Sequence, residues 1–544
     1  MEQSEPAPTP ATEVAIVGFG PVGAAIANLL GRYGIETVVI DKSPDIFMAP
    51  RAIALDNEAL RILQWVGLDE TAFARIAIPV VRMRSPLLGE FGRVNTLGCI
   101  DGHPKLVTFH QPDLEAALRR ALECHGHVRS MPGTELLGFT QDADGVVLQL
   151  RRGDGAPFTL RSRYLVGADG AASLVRRLIG ERFDGATYAE DWLIVDAKHV
   201  PAPIDHVEFL CDHRRPTPHM VAPGGRERWE FMLARGESRQ DFETDARIAE
   251  LIRPWTGGRP VEIERRAVYR FHARAAKAFR RGHVFLAGDA AHVTPPFVGQ
   301  GLVAGLRDAA NLAWKLAFVL RGHAGEAILD SYDQERRPHA AAMIAFARFM
   351  GRLVMPTSAA RALIVHGIMR LTRLIPPLRR HFEDLGVKPR NRFAAGLFRR
   401  SHHRCRLACG EILPQGLVRD ETGSLRLSDD ALGAGLVLIG FGTDAVFGLE
   451  REQQAALAAA GGSVAQVCFR GQHLHRAASG TVLEDLTGTL IPGAAPEGWV
   501  ALVRPDRTIL HQGPAAEIGR ILAEGLALLS APGPGMAEAR KIAG

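Results

Sequence analysis

Val14-Ala15-Ile16-Val17-Gly18-Phe19-Gly20-Pro21-Val22-Gly23 reads as a short apolar strand running directly into a Gly-x-Gly-x-x-Gly turn. Helix-forming residues Ala24 to Leu30 follow, closed by Gly31, and Thr37-Val38-Val39-Ile40 makes a second strand that ends at Asp41 and Lys42. Gly18, Gly20 and Gly23 permit a tight turn and a close approach of backbone to a pyrophosphate, which the N-terminus of the next helix also attracts. Asp41 follows the last glycine by roughly the 20 residues at which an acidic side chain reaches ribose hydroxyls. A lone glycine motif is weak, but strand, turn, helix, strand and acid in sequence predict a dinucleotide-binding βαβ unit.

Two further strand ends repeat the pattern. Tyr164-Leu165-Val166-Gly167-Ala168-Asp169-Gly170 leads into a helix carrying Ser173 and Arg176, one turn apart on a face able to reach a phosphate or nicotinamide. Val284-Phe285-Leu286-Ala287-Gly288-Asp289 leads through Pro295-Pro296-Phe297-Val298-Gly299-Gln300 into a long helical pattern at Gly301 and Leu302. A helix opening on glycine presents free N–H groups to an anion or to a ring that becomes anionic. Asp289 is placed to accept hydrogen bonds from ribityl or ribose hydroxyls. Each of these two segments alone could be an ordinary strand–loop–helix corner; three in order are hard to attribute to chance.

The chain is 544 residues, long enough for two or three domains, and its 47% hydrophobic and 23% charged residues describe an ordinary globular protein. A formal net charge of +5 with scattered Lys and Arg argues against nucleic acid, while a pI of 9.0 leans toward small anions. The six cysteines are far apart and complete no metal-ligand set, so no metal is expected and reduced thiols are. Met1 to Thr12 is polar and Pro-rich, a loose tail rather than a signal peptide. The most apolar stretch, Leu302 to Leu320, is interrupted by Arg307, Asp308 and Lys315, so no membrane span is expected and the cytoplasm follows by default.

This gives an α/β fold in successive parts. Residues 13–186 form the first part of the cofactor domain, with an amphipathic helix from Asn57 to Trp65 and another from Asp113 to Cys124. Gln111, just before Pro112, can contact a cofactor or cap its helix. Residues 134–151 read as paired strands turning at Asp144-Gly145, and a second hairpin turns at Gly153-Asp154-Gly155. Residues 187–275 alternate like a mostly antiparallel sheet, one wall of a substrate pocket. Residues 276–395 return to the cofactor domain and a helical region in which Tyr332 to Pro338 reads as a stop. Residues 396–544 form a small α/β module; Gly433-Ala434-Gly435 precedes its strand and so is no nucleotide loop.

The three glycine-rich segments, in this order, resemble the three FAD motifs of single-component flavoprotein aromatic hydroxylases, over roughly residues 12 to 395. Within that family the chain is most similar to the 3-(3-hydroxyphenyl)propionate hydroxylases, through Pro50-Arg51-Ala52, Asp56 with Glu58-Ala59-Leu60-Arg61, Gln111-Pro112, Trp229-Glu230-Phe231-Met232, Phe271-His272-Ala273-Arg274, the run Arg307 to Lys315 and Glu335-Arg336-Arg337-Pro338. The resemblance implies a Rossmann-like FAD domain, an inserted substrate sheet and a thioredoxin-like C-terminal module, here without redox cysteines. It implies FAD, held by the residues of the three turns with Arg51 and Gln111, and NADH or NADPH as transient reductant. It also implies O2 and a small aromatic substrate, hydroxylated through a peroxide at flavin C4a. The substrate is a phenol or related aromatic, an acid of the 3-hydroxyphenylpropionate type among the candidates. A phenol needs a base or hydrogen-bond acceptor; Asp56, His219, Tyr269 and His272 are candidates, and Trp229, Phe231 and Phe297 are candidate substrate contacts. Where the family has Asn after Gly-Gln-Gly-Leu, this chain has Val303. A homodimer is one possible assembly. Two other readings are a flavin oxidase or dehydrogenase without oxygen insertion, and an inactive flavin-binding interaction protein.

Overall fold

The computed structural model describes residues 11–234, 236–242, 244–384, 388–403, 405–472 and 480–530. Most of the expected tail therefore lies outside the described residues, but Ala11 and Thr12 already belong to the first strand, Ala11–Val17, paired with Arg161 and Ser162.

The first sheet has a parallel core. Strand Ala11–Val17 lies between Thr37–Asp41 and Phe158–Gly167, and Val128–Pro132 extends it beyond Thr37–Asp41. The other edge of Phe158–Gly167 is shared: its first half pairs with the hairpin Thr134–Gln141 and Val146–Arg152, and its last residues pair in parallel with Val284–Leu286. Register is what matters for the site. Val17 stands opposite Ile40 and Gly167, and Gly167 opposite Leu286, so the three glycine-rich turns leave the sheet side by side at its carboxyl edge. That edge is where open α/β sheets bind ligands. Strand interiors such as Ala15, Ile16, Val39, Leu165, Val166 and Phe285 are fully buried under helices, as a parallel sheet covered on both faces requires.

An eight-stranded second sheet stands over this edge. Its central strands Phe183–Lys198, Val207–Leu210, Thr217–Ala222, Arg226–Met232 and Glu262–Ala276 are mainly antiparallel, and it recruits Val80–Ser85 and Gly89–Asn95 from the preceding part of the chain. The sheet is thus wider than the residues 187–275 expected for it. Helices Gly301–Leu320, Asp330–Val354 and Ala359–Thr372 follow. The expected stop at Tyr332–Pro338 does not occur: the helix from Asp330 to Val354 runs through Pro338. Proline forfeits one backbone bond there, but Tyr332, Glu335, Arg336 and His339 are buried, and their packing holds the helix together.

Beyond a connecting segment, a third sheet of seven strands has Leu436–Phe441, Gly462–Phe469 and Thr481–Asp485 in parallel, with Trp499–Val503 and Ile509–Pro514 antiparallel beside them. Among the described residues no helix is long and apolar enough to cross a membrane.

Candidate active site

The three turns line one cavity of about 1300 Å³ that continues beneath the second sheet. Gly18 adopts φ +109°, and a Cβ there would overlap the Ala168 carbonyl of the second turn; a Cβ on Gly23 would overlap the Gly18 carbonyl. Only glycine fits either place. Asp41 closes the loop: its carboxylate accepts from the Phe19 N–H at 2.7 Å and the Ser43 N–H at 2.8 Å, and it lines the cavity beside Gly20. Lys42 is exposed and is not among the lining residues. The Gln111 amide oxygen accepts from the backbone N–H groups of Arg51 and Ala52 at 2.9 and 2.8 Å, which pins the Arg51 loop to the rim.

The second turn contributes differently from what its sequence suggests. Gly170 lines the cavity, but the Asp169 carboxylate is taken up by Ser173 Oγ and the N–H groups of Leu174 and Val175, capping the short helix Leu174–Leu178. Arg176 does not reach the cavity either. Its guanidinium stacks on Phe183 and donates to the carbonyls of Ala171 and Ala290, both at 2.7 Å, stitching the second turn to the third.

In the third turn Asp289, Pro296, Gly299, Gly301 and Leu302 line the cavity, while Gly288, with φ +58°, packs its backbone against Val22. Burial pushes the Asp289 carboxyl up, opposed by Arg51 and His292. The first intrahelical donor of Gly301–Leu320 is the Ala304 N–H, so the N–H groups of Gly301, Leu302 and Val303 remain at the positive end of a 20-residue helix. Val303 itself is wholly buried in the core, so the seat it offers is backbone alone.

Asp56, expected as a base, is a structural hub. It caps the helix Asn57–Val66 through the Ala59 N–H and accepts from Gln300 at 3.0 Å, Arg307 at 3.2 Å and Lys388 at 2.7 Å. Burial opposes its charge, but Lys388 and Arg307 together hold the carboxyl far below the usual carboxylate range, which makes it a poor proton acceptor.

On the second sheet, strand alternation sorts the candidates. Pro218, Met220, Glu230 and Tyr269 face the cavity, so His219, Trp229 and Phe231 face away. Trp229 and Phe231 pack under the helix Asp245–Thr256; His219 stacks on Trp229 and bonds Glu227 Oε2 at 2.5 Å. None of the three lines the cavity, which removes them as contacts for anything bound inside it. His272 lines the rim, its Nδ1 3.0 Å from Thr187 Oγ1, and burial with the charges of Arg274 and Arg270 lowers its pKa. Phe297 lines the chamber edge-on to Trp192 and Phe271. Helix Asp330–Val354 adds Phe346, Met350 and Val354, so the chamber wall is largely apolar.

Residues 11–347 match an FAD binding domain family, and residues 410–527 match the HcaD C-terminal domain. The chain is 34% identical over 530 residues to the 3-(3-hydroxy-phenyl)propionate/3-hydroxycinnamic acid hydroxylase of Escherichia coli O139:H28, covering 95% of each chain. It is 35% identical to the enzyme of that description from Burkholderia cenocepacia, over 94% of this chain and 96% of the other. The chain belongs to the FAD-dependent aromatic hydroxylase family. Its fold is shared by the flavin-dependent monooxygenase PieE, at 22% identity and TM-score 0.78 over 96% of this chain and 100% of that one. Aklavinone-11 hydroxylase shares it too, at 24% identity and TM-score 0.75 over 95% and 99%.

The hydroxylase's own residues fit FAD. Gly18 and Gly23 let the first turn fold tightly against the second. Gly20, where an added Cβ would meet nothing within 4 Å, leaves room for a pyrophosphate in the cavity, and Asp41 borders the groove where a ribose would lie. The free helix end at Gly301–Val303 meets the apolar chamber where a flavin ring would lie. Arg119, which stacks 4.3 Å above the Phe19 ring and donates to the Phe19 carbonyl, stiffens the first turn and was not visible as a motif. Glu230 was also missed, although strand alternation puts it on the face opposite to its neighbours Trp229 and Phe231.

Proposed function

We propose that this hydroxylase inserts one atom of O2 into a phenolic acid of the 3-hydroxyphenylpropionate type, with NADH or NADPH as reductant. The second oxygen atom leaves as water. The observation that carries this reading is the continuity of one cavity from three backbone turns suited to FAD into a chamber walled by Ile194, Met220, Phe271, Phe297 and Met350. The substrate class rests on the relatives' names. FAD, once reduced, supplies the electrons that let O2 deliver an oxygen atom to the ring. The chain's part is to hold the cofactor by backbone, exclude water with the apolar wall, and orient the ring. In this reading Phe297 and Tyr269, which line the cavity, contact the substrate and His272 stands at its edge. The oxidase and the inactive interaction-protein readings are not favoured by any relative.

Six free thiols and a nicotinamide reductant support a cytoplasmic setting, and a homodimer is part of the proposal. The test is to follow NADH and NADPH consumption with 3-(3-hydroxyphenyl)propionate and weigh the product. A gain of one oxygen atom, with reductant use accelerated by the phenol, is expected. Stoichiometric hydrogen peroxide with unchanged phenol overturns the reading.

A further inference from the structure

We infer that Glu230 is the proton acceptor for the substrate hydroxyl. Among the described residues of the second sheet it is the one carboxylate that lines the cavity, on a strand whose neighbours toward the chamber are Ile194, Pro218 and Met220. It is buried, and no described side chain donates a hydrogen bond to it. That separates it from Asp56, whose carboxylate is engaged by three side-chain donors and the Ala59 N–H. A buried carboxylate facing an apolar chamber without a partner is costly unless something that enters the chamber supplies the missing donor. A phenol O–H is such a donor.

The surroundings tune it. On the same face, Arg228 grips Asp196 through two bonds of 2.6 and 3.0 Å, and Arg265 reaches Asp196 at 3.3 Å. Both guanidiniums also bind the Pro50 carbonyl, so they are held in place rather than free to swing onto Glu230. Tyr269 Oη accepts from Arg265 at 2.7 Å, which leaves its own proton to donate toward the chamber. Helix Asp330–Val354 presents Phe346, Met350 and Val354 to the cavity together with Arg336, which is paired with Asp308, and the Pro296–Val298 turn presents only apolar side chains. Arg270 and Arg336 also line the cavity but are paired with Asp191 and Asp308, and His272 bonds Thr187. The charges that act on Glu230 are Arg228, Arg265 and Asp196, a set balanced when Glu230 is ionised. Burial pushes its carboxyl up to about 6, with Arg228 pulling down, Asp196 pushing up and Arg265 pulling down. The group is ionised at neutral pH yet basic enough to take a proton.

The step is a proton transfer. The phenol O–H bond breaks, the proton passes to a Glu230 oxygen, and the electron pair left on oxygen enriches the ring for attack on the activated oxygen. The proton returns to that oxygen of the product. This inference rests on the hydroxylase reading above.

The experiment uses full-length wild type, Glu230→Gln and Glu230→Asp with 3-(3-hydroxyphenyl)propionate. Glu230→Gln is expected to retain FAD and bind the phenol as wild type does. Its rate of product formation should fall by about 100-fold or more, with NAD(P)H electrons diverted to hydrogen peroxide. The acidic limb of the kcat/KM profile, near pH 6 in wild type, should vanish in Glu230→Gln and return, displaced, in Glu230→Asp. If Glu230→Gln hydroxylates at the wild-type rate with the same limb, the inference is wrong and the hydroxylase reading stands. If Glu230→Gln folds poorly, Glu230→Asp decides: an undisplaced limb also overturns the inference. If wild type itself makes only peroxide, the reading falls and takes the inference with it.

Discussion

The Arg176 guanidinium donates to the Ala290 carbonyl at 2.7 Å across 114 residues of chain, and its other nitrogen reaches the Ala171 carbonyl. Two glycine-rich turns are thereby fixed relative to each other without either touching Arg176's charge to a ligand. Arg176→Met keeps the stem that packs on Phe183 and removes both bonds. Hydrogen bonds to a charged group contribute about 1.5–3 kcal/mol, so FAD affinity should weaken by roughly 10- to 100-fold, read by titrating stripped protein with FAD. Unchanged affinity would show that the stitch does not shape the groove.

His219 and Met220 are adjacent in sequence and lie on opposite faces of the second sheet. Met220→Ala enlarges the chamber and should raise KM for a small phenol while admitting bulkier ones. His219→Gln should lower the melting temperature and leave kcat/KM per folded molecule within about twofold, because its ring touches Trp229 and Glu227 rather than the cavity. Equal kinetic damage from both substitutions would contradict the assignment of faces.

The third sheet is clamped to the FAD domain by Asp429, whose fully buried carboxylate accepts from Arg61 at 2.7 and 2.9 Å and from Trp65 at 2.7 Å, with Arg507 3.3 Å away. Breaking a buried pair costs about 3–5 kcal/mol because the partner's charge stays behind. Asp429→Ala should therefore separate the calorimetric unfolding of the C-terminal part from the rest. Asp430→Ala, which removes an exposed bond to Gln64, should change stability by less than about 1 kcal/mol.

His103, 2.8 Å from Gln64 Oε1 at this same interface, has its pKa lowered to about 4 by burial and by the charge of Arg61. The unfolded chain, with an ordinary histidine near 6.5, binds the proton first on acidification. The stability belonging to neutral His103 is therefore whole above about pH 6.5 and drains as pH falls to about 4. His103→Gln should flatten the fall in unfolding free energy between pH 7 and pH 5, measured with urea. A slope as steep as wild type would place the titrating group elsewhere.

The sequence by itself determined the backbone chemistry of the cofactor side. A glycine that must adopt φ +109° against another turn's carbonyl, or a helix that opens on glycine, is written into residue type, because no other side chain permits those approaches. The βαβ order, the Asp144-Gly145 hairpin and the antiparallel character of the second sheet were legible for the same local reasons. What only the tertiary structure decided is where the polar side chains point. Asp169 and Arg176 sit in a turn that lines the cavity yet spend their hydrogen bonds on backbone. Asp56 is neutralised by Lys388, more than 300 residues away in the chain. Trp229 and Glu230 exchange places between core and chamber according to a strand register fixed by distant partners. Motifs record which backbone can approach a ligand; a charged side chain's role depends on which opposite charges, brought from far along the chain, it meets once water has been removed.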